Sequence, residues 1–301
     1  MRSIMKTTLF NSWILLFTLS TLGSLCCINA WSQNTDNTIS FATYNIRYCI
    51  EGKKPEDEKK DNAWEMRRDP IVKLIKYHQF DIFGTQEGML SQLEYLKKEL
   101  TDFDYIGKGR DDGKSSGEHS AIFYKTTMFR VLDTGDFWLS ETPDKPSKGW
   151  DVTCCPRLCT WALFEELSTK KQFYVFNAHF DHQGIEARNE SSLLVLQKVK
   201  DIAGKQPVVF MGDLNGSRTS KWYLTVENSV TFSDTYKKAK DVYQLSGTFN
   251  GFGKGKMNSD TIDHIFSTHQ FEVLEWSVLT DTYNGNYPSD HFPVKTTMIL
   301  K

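Results

Sequence analysis

The sequence has no excess of basic residues. Its 301 residues include 36 lysines and arginines against 38 aspartates and glutamates, a formal net charge of −2. A protein that grips long nucleic acid without sequence preference usually shows a basic excess, because cations make its phosphate contacts. The composition therefore speaks against strong nonspecific binding of nucleic acid and favours a small or metal-bridged ligand.

Repeats, low-complexity linkers and a P-loop are also missing. No segment recurs at the periods of solenoid proteins, and no linker divides the chain after its first residues, so we predict one domain over 39–301. The glycine-rich segment 251–256 lacks the strand–helix setting and the Lys-Ser/Thr ending of a P-loop. We expect a mobile loop at the rim of a cleft there.

Cysteine is scarce, with six residues in the chain. A zinc site would need a second ligand cluster at suitable spacing, and none is visible. Cys154, Cys155 and Cys159 are near enough in sequence for a disulfide if the protein is exported. Adjacent cysteines rarely bond each other, so Cys159 would bond one of the other two. Unbonded buried thiols are the favoured interpretation.

The N-terminus carries the one long apolar run. Arg2 and Lys6 precede an apolar stretch over 9–25, and small or polar residues follow as far as Ala30. This order is typical of a secretory signal peptide. Polar residues interrupt the run too often for the ~20 apolar residues of a membrane span.

We therefore expect residues 1–30 to be a signal peptide and 31–38 a short linker. The protein would then be periplasmic, secreted or on the outer surface, with no transmembrane segment in its mature chain. A lipid anchor on Cys26 is the alternative, although Leu25 before it is a poor match to a lipoprotein motif.

Apolar periodicity predicts a layered α/β architecture. Strands are predicted over 39–46 and 81–86, each followed by a helix, with Pro70 near the start of the first helix. Such alternation is typical of layered α/β proteins. Further strands are predicted over 121–124, 129–132, 160–164, 173–177, 207–211, 262–266 and 294–299. A third helix is predicted over 186–203, with Leu193, Leu194 and Val199 facing inward and Leu196 partly so. We expect two sheets packed face to face with helices outside.

Polar side chains stand at or just past the ends of six apolar strands. A single Asp at such a place is usually a turn former or a helix cap. Six such segments with related chemistry indicate a site, because loops beyond strands place side chains into clefts. The residues are Asn45, Glu87, His179, Asp213, Asn215, Asp263, Asp290 and His291.

These residue types suit metal-assisted phosphoryl transfer. Mg²⁺ prefers carboxylate and carbonyl oxygen, which Glu87, Asn45 and Asp290 supply, directly or through water. Asp213 is available as the base for the attacking water. Mg²⁺ is the expected cofactor, with Mn²⁺ as the alternative.

The remaining residues are candidates for contacts with the phosphoryl group. Asn215 lies on the same side of an extended backbone as Asp213 and can position water or phosphate. His291 can donate to the phosphoryl charge, and Asp263 can orient it and raise its pKa. His179 can reach the phosphoryl group from a neighbouring strand.

The ordered set Asn45, Glu87, His179, Asp213-x-Asn215, Asp263 and Ser289-Asp290-His291 resembles the endonuclease/exonuclease/phosphatase superfamily, which has the DNase I-like fold. The resemblance spans residues 39–299. It implies a four-layered α/β sandwich of two mixed sheets with the site at one end. It also implies a metal at Glu87 with Asn45 and Asp290 nearby, water aligned by Asp213, and a transition state stabilised by His291 paired with Asp263.

The sequence is similar to an exported bacterial branch of the superfamily in segments 117–119, 137–140, 157–161 and 187–189. These matches do not identify a substrate. In the superfamily, His179 stands where some nucleases carry tyrosine and where sphingomyelinase-like and phosphatase-like members carry histidine. The histidine at this position favours a sphingomyelinase-like or phosphatase-like enzyme over an abasic-site nuclease.

Four residues are weaker candidates for substrate binding. His119 faces either the cleft or a surface turn, and Arg157 is either a bidentate phosphate clamp or part of a structural salt bridge. Arg188 opens a helix, with the same two alternatives. Phe252, like Phe249, either stacks on a substrate ring or packs its own loop.

We predict an exported, monomeric, Mg²⁺-dependent phosphoesterase acting on a phosphodiester or phosphomonoester, with a phosphorylated sugar, nucleotide or lipid headgroup preferred. A nuclease acting on DNA or RNA would need more positive charge along a groove. A sphingomyelinase-like enzyme would need an apolar aromatic hairpin, which the sequence lacks. A non-catalytic phosphate-binding relative is disfavoured because Glu87, Asp213 and His291 are all present.

Overall fold

The computed structural model describes residues 38–49, 62–254 and 260–301. The predicted signal peptide, all but the last residue of the predicted linker, and the end of the glycine-rich segment lie outside these residues. Thr38–Lys301 form one compact unit. No helix in the described part of the chain is long and apolar enough to span a membrane.

Strands and helices alternate in the first third of the chain, and strands dominate the rest. In chain order they are β1 (Thr38–Asn45), α1 (Trp64–Tyr77), β2 (Ile82–Gln86), α2 (Leu90–Glu99), β3 (Phe103–Ile106), β4 (Ile122–Lys125), β5 (Phe129–Trp138), β6 (Leu158–Glu166), β7 (Gln172–His179), α3 (Ile185–Ala203), β8 (Val208–Asp213), α4 (Lys221–Glu227), β9 (Ser233–Asp234), α5 (Thr235–Lys238), β10 (Asp241–Tyr243), a 3-10 turn (Gly251–Gly253), β11 (Asp263–Ser267), β12 (Phe271–Val278) and β13 (Val294–Leu300).

The strands form two mixed sheets. One has the order β10-β12-β13-β1-β2-β4-β3 and the other the order β5-β6-β7-β8-β11-β9. Phe41, Val175 and Val209 belong to a core cluster shared by strands of both sheets. A second cluster joins α1 and α2 to the first sheet, and a third joins α3 and α4 to the second sheet. The predicted four-layered α/β sandwich is confirmed.

The first helix begins earlier than its periodicity predicted. We expected Pro70 near the helix start, but α1 begins at Trp64 and continues through Pro70. Proline cannot donate to the carbonyl four residues earlier, which normally weakens a helix interior. The first turn is nevertheless held by burial, because Trp64 and Arg67 are both buried.

The inward face of α3 also differs from its prediction. Leu193 is 52% exposed, whereas Val195 and Val199 are buried. Residues four apart lie on one helix face, and a residue two positions away lies nearly opposite. Leu194 and Leu196 are partly buried against the same cluster, so the expectation was wrong for Leu193 alone.

The cysteines pair in the way we considered least favourable. Cys154 and Cys155 are bonded to each other, while Cys159 is a free, buried thiol. The expectation of unbonded thiols was therefore wrong for the adjacent pair. Cys159 lies within β6, where its side chain packs among Phe137, Phe176 and Ala178, so it points into the core and away from solvent.

Candidate active site

Three of the predicted site residues form a row across neighbouring strands. His179 ends β7 and is paired in register with Asp213, which ends the parallel strand β8. Asp213 is paired in turn with Asp263, the first residue of the antiparallel strand β11. Residues paired directly across strands bring their side chains within a few ångströms, so the register itself assembles this row.

His291 completes the row from the loop before β13. Its Nδ1 lies 2.9 Å from an Asp263 carboxylate oxygen, and its Nε2 lies 3.8 Å from Asp213. Burial alone would lower the pKa of His291, but the carboxylates of Asp263 and Asp213 outweigh burial and raise the pKa to about 10. His291 is therefore an imidazolium at neutral pH.

Asp213 is buried between these groups. Burial and the negative charge of Asp263 raise the pKa of Asp213 to about 7, against the opposing effects of His291 and of hydrogen bonds from Asn215 and Asn45. A carboxylate with a pKa near neutrality can accept a proton from water at physiological pH. The geometry therefore suits Asp213 to the role of general base.

The side chains of Asp213, Asp263 and His291 are close enough to one another to be considered as metal ligands. Ligand atoms of Asp213, Asp263 and His291 all lie within 4.8 Å of one another. The Nδ1 of His291 is already paired with Asp263 over 2.9 Å, and its Nε2 faces Asp213 at 3.8 Å, so the two carboxylates hold the imidazole in an arrangement suited to proton transfer. We therefore assign these residues to proton transfer and charge stabilisation.

The predicted metal ligands lie beside this row. Parallel pairing of β1 with β2 places Asn45 opposite Gln86, so Asn45 and Glu87 emerge at the same edge of the sheet. The Asn45 side-chain amide donates to Glu87 and to Asp213, each over 3.1 Å. One amide therefore links the candidate metal site to the candidate base.

A cationic group is already held between the two carboxylates of this site. The Arg47 guanidinium lies 3.1 Å from Glu87 and 3.7 Å from Asp290. Burial would raise the pKa of Glu87, but Arg47 and His291 outweigh it and lower that pKa. Two carboxylates that share a cation, with the Asn45 amide beside Glu87, fit the oxygen-rich donor set of a hard divalent metal.

Non-glycine residues with a positive φ lie at these functional positions. The φ angles are 61° for Glu87, 55° for Arg47 and 47° for Asn215. The left-handed region is sparsely populated by such residues and tends to be kept where function requires it. At Asn215 the conformation lets the backbone N–H donate to Asp213 over 2.9 Å and the side-chain amide donate to Phe180 O over 3.0 Å.

His179 lies between Asp213 and a buried arginine. Its Nε2 is 3.6 Å from Asp213, and Arg157 Nη1 is 3.2 Å from its Nδ1. Burial, with the positive charges of Arg157 and Arg110, holds the pKa of His179 well below its ordinary value. His179 is therefore a neutral imidazole that can contact a phosphoryl oxygen without carrying charge.

The Arg157 guanidinium is fixed by three groups at once. Besides His179, it reaches Asp181 over 3.3 Å and donates to His182 over 2.8 Å. The structure shows the salt-bridge alternative, because Arg157 pairs with the buried Asp181. This pairing places the guanidinium beside His179, and the role of phosphate clamp stays a prediction.

Arg110 and Glu118 join the site although we had not predicted roles for them. They form a bidentate ion pair with both distances at 2.7 Å, and Glu118 lies 3.9 Å from His179. Burial raises the pKa of Glu118 despite the nearby arginines. The family-like segment 117–119 was the signal that could have identified Glu118, whereas nothing in the local sequence singles out Arg110.

The weaker candidates for substrate binding differ in their contacts. His119 is buried against Gly88 O at 3.2 Å, and Arg188 donates to Asp181 O and Gln183 O while stacking on Trp222. His119 is 2% exposed, so the surface-turn alternative was wrong. The contacts of Arg188 are structural, and substrate binding stays a prediction for both residues. Phe252 covers the Arg67 guanidinium at 5.5 Å.

Phe249 is the aromatic residue that adjoins the row. Its ring packs edge-on against His291, with ring centroids 5.1 Å apart, and the residue is 44% exposed. An isolated β-bridge to His291 holds its backbone there. Phe249 is thus better placed than Phe252 to contact a substrate.

Comparison with known proteins identifies the family. Residues 42–291 match the Endonuclease/Exonuclease/phosphatase family. The chain belongs to this family. Enzymes of the Endonuclease/Exonuclease/phosphatase family are divalent-metal-dependent, and the chain is accordingly a metal-dependent phosphoric ester hydrolase. The predicted superfamily and enzyme class are confirmed, whereas membership of an exported branch stays a prediction.

Solved structures of this family resemble the chain over most of its length. A family protein from Bacteroides thetaiotaomicron is 43% identical, covers 88% of this chain and 98% of its own, and superposes with a TM-score of 0.83. A mannosyl-6-phosphatase of Bacteroides thetaiotaomicron is also 43% identical, covers 87% of this chain and 99% of its own, and has a TM-score of 0.82. An uncharacterized protein of Acanthamoeba polyphaga mimivirus is 29% identical over 250 residues, which is 77% of this chain and 90% of that protein.

Proposed function

We propose that this protein is a Mg²⁺-dependent phosphatase that hydrolyses phosphomonoesters of small polar molecules, with a sugar phosphate as the preferred substrate. The observation that carries the proposal is the row of His179, Asp213 and Asp263, closed by the His291 imidazolium and placed beside Glu87. The row supplies a base and a charged donor, and the candidate metal ligands lie beside it.

Two further observations favour a small monoester over a nucleic acid. The chain has no basic excess, whereas a nonspecific nuclease would need phosphate contacts along an extended groove. Its 43% identity to a mannosyl-6-phosphatase extends over nearly all of that protein. Arg157 and Arg110 concentrate positive charge beside His179, where a compact dianionic group would be bound.

The residues divide the reaction between them. Glu87, Asn45 and Asp290 would hold the metal, which when bound supplies Lewis-acid stabilisation of phosphoryl charge. Asp213 accepts the proton of the attacking water, and the new P–O bond forms as the ester P–O bond breaks. The leaving alkoxide takes a proton from solvent water and departs as the alcohol. His291, oriented by Asp263, donates to a phosphoryl oxygen as charge develops. Asn215 and His179 contribute further polar contacts to the phosphoryl group.

A substrate panel tests this assignment. The purified protein with Mg²⁺ would be assayed for phosphate release from mannose 6-phosphate, glucose 6-phosphate and p-nitrophenyl phosphate. Bis-p-nitrophenyl phosphate, DNA, RNA and sphingomyelin would be assayed alongside. We expect kcat/KM for the best sugar phosphate to exceed that for the diesters by at least ~10², because remote binding energy is used only by a substrate that fits.

Matched variants test whether the candidate active site is responsible for the measured turnover. Asp213→Asn should reduce the activity by ~10²–10³, whereas Asp241→Asn, on an exposed residue of β10, should leave it unchanged. Faster turnover of DNA or RNA than of any sugar phosphate would contradict the proposal and indicate a nuclease. Preference for sphingomyelin would indicate a phospholipid diesterase, and metal binding without turnover of any ester would contradict catalysis.

A further inference from the structure

A buried arginine outside the predicted site joins the two loops that carry the candidate metal ligands. Arg67 lies on α1 and is 1% exposed. Its Nη1 donates to Ile46 O over 2.8 Å and to Pro288 O over 3.0 Å. Its Nη2 donates to Arg47 O over 3.1 Å, and its Nε donates to Asn62 O over 2.7 Å.

These acceptors come from three separate segments of the chain. Ile46 and Arg47 directly follow Asn45, and Pro288 precedes Asp290 by two residues, although Arg67 and Pro288 are 221 positions apart in sequence. One planar group thus sets the separation between the loop that carries Asn45 and the loop that carries Asp290.

A second bond joins the same two loops. The Ser289 hydroxyl donates to Asn45 O over 2.6 Å. Unlike Arg67, this hydroxyl connects the loops through a single contact. The two links together leave little freedom for the distance between the Asn45 amide and the Asp290 carboxylate.

The guanidinium is enclosed by aromatic rings. Trp64 and Phe252 lie 5.6 Å and 5.5 Å from its central carbon, a separation at which a cation is attracted to an aromatic face. A lysine could not replace this arrangement, because its donors radiate from one nitrogen and do not form a planar fork. The position therefore requires arginine for its shape as well as for its charge.

We propose that Arg67 is a positioning residue for the metal site: by bonding both ligand-bearing loops, it sets their separation and hence the affinity for the divalent metal. Arg67 itself contacts neither metal nor substrate. The inference rests on the proposed metal site at Glu87, Asn45 and Asp290. Partners that orient metal ligands typically change affinity by about 10- to 100-fold when they are lost.

The test measures metal affinity separately from folding and turnover. Mn²⁺ binding would be titrated by isothermal calorimetry in the wild-type protein, Arg67→Lys and Arg67→Met, well below each melting temperature. We expect about 10-fold weaker binding for Arg67→Lys and weaker still for Arg67→Met. At saturating metal, the KM of Arg67→Lys for the phosphomonoester should stay near the wild-type value.

A neighbouring residue supplies the matched control. Arg68→Lys alters the next arginine of the same helix, which packs on the Tyr95 ring, and it should bind Mn²⁺ as the wild type does. Wild-type affinity in folded Arg67→Lys, or a loss no larger than that of Arg68→Lys, would overturn the inference. If Arg67→Lys does not fold, Arg67→Met carries the comparison, and wild-type affinity in that variant would equally overturn the inference. Failure of the wild-type protein to bind Mn²⁺ would instead contradict the proposed metal site itself.

Discussion

The guanidinium of Arg47 lies 3.1 Å from a carboxylate oxygen of Glu87. The same guanidinium lies 3.7 Å from Asp290. Arg47 is therefore paired with both carboxylates that we assign as metal ligands. The Arg47 side chain is 36% exposed, which leaves it room to turn outward. A metal and this guanidinium should therefore compete for the two carboxylates.

Arg47→Gln should consequently bind Mg²⁺ more tightly than the wild type. For an ion pair of this exposure we expect a gain of about two- to fivefold in affinity, measured by isothermal calorimetry. Arg130→Gln is the control, because Arg130 forms a similar ion pair with Glu165 at 2.8 Å on a strand pair outside the site. Weaker binding by Arg47→Gln would show that Arg47 orients Glu87 and does not compete with the metal.

Glu87→Gln should lose metal affinity and activity together while keeping its fold. Removing a charged oxygen ligand should weaken Mg²⁺ binding on the order of 10²-fold or more, beyond the effect of losing an outer-shell partner. Calorimetry, phosphate release and circular dichroism would be measured on the same preparation, with Glu165→Gln as the control. Full activity of the wild-type protein in EDTA would contradict the metal assignment.

Asp213 and His291 should act in one chemical step. Asp213→Asn and His291→Ala are each expected to reduce the single-turnover rate by ~10²–10³. The double variant should lose little more, because both groups serve one transition state. Circular dichroism would confirm that each variant is folded. A single variant that keeps more than about a tenth of the wild-type rate would lose the role given to its residue.

The rate should depend on pH as a bell-shaped curve. Asp213 must be ionised to accept a proton, so kcat/KM should rise as the pH passes its pKa of about 7. His291 must stay protonated to donate, so kcat/KM should fall as the pH passes its pKa of about 10.

Asp263→Asn should move both limbs of this curve to lower pH. The Asp263 charge raises the pKa of His291 by attraction and the pKa of Asp213 by repulsion, so removing it lowers both. The full profile would be recorded for the wild type and the variant under saturating metal. An upper limb that does not move would show that Asp263 does not control the protonation of His291.

We also propose that residues 1–30 direct export and are then removed. Mass spectrometry of the protein from its native host should find an N-terminus close to Trp31, or a lipid on Cys26. An intact chain beginning at Met1 in the cytoplasmic fraction would refute export.

The order of the chemistry-bearing residues could be predicted from the sequence, because each stands next to an apolar strand. Asn45, His179 and Asp213 end their strands, whereas Asp263 begins β11 and His291 precedes β13. The pattern around Asp213 and Asn215, and the Asp290-His291 pair, needed no tertiary information. The same periodicity predicted most strands and the helices α1, α2 and α3. It could also have identified β12, where Phe271, Val273, Trp276 and Val278 are buried, but a register shift between Val273 and Glu275 interrupts the alternation.

Only the tertiary structure could decide which of these residues meet. Strand register sets His179, Asp213 and Asp263 side by side, and a shift of one residue would have pointed Asp213 to the other face of its sheet. The link between Asn45 and Asp213 spans 168 positions in sequence. Local patterns report burial and turn chemistry, which depend on near neighbours. The contacts of Arg47 with Glu87 and of Arg67 with Pro288 depend on the packing of distant segments, so their parts in the site appear only once the sandwich has formed.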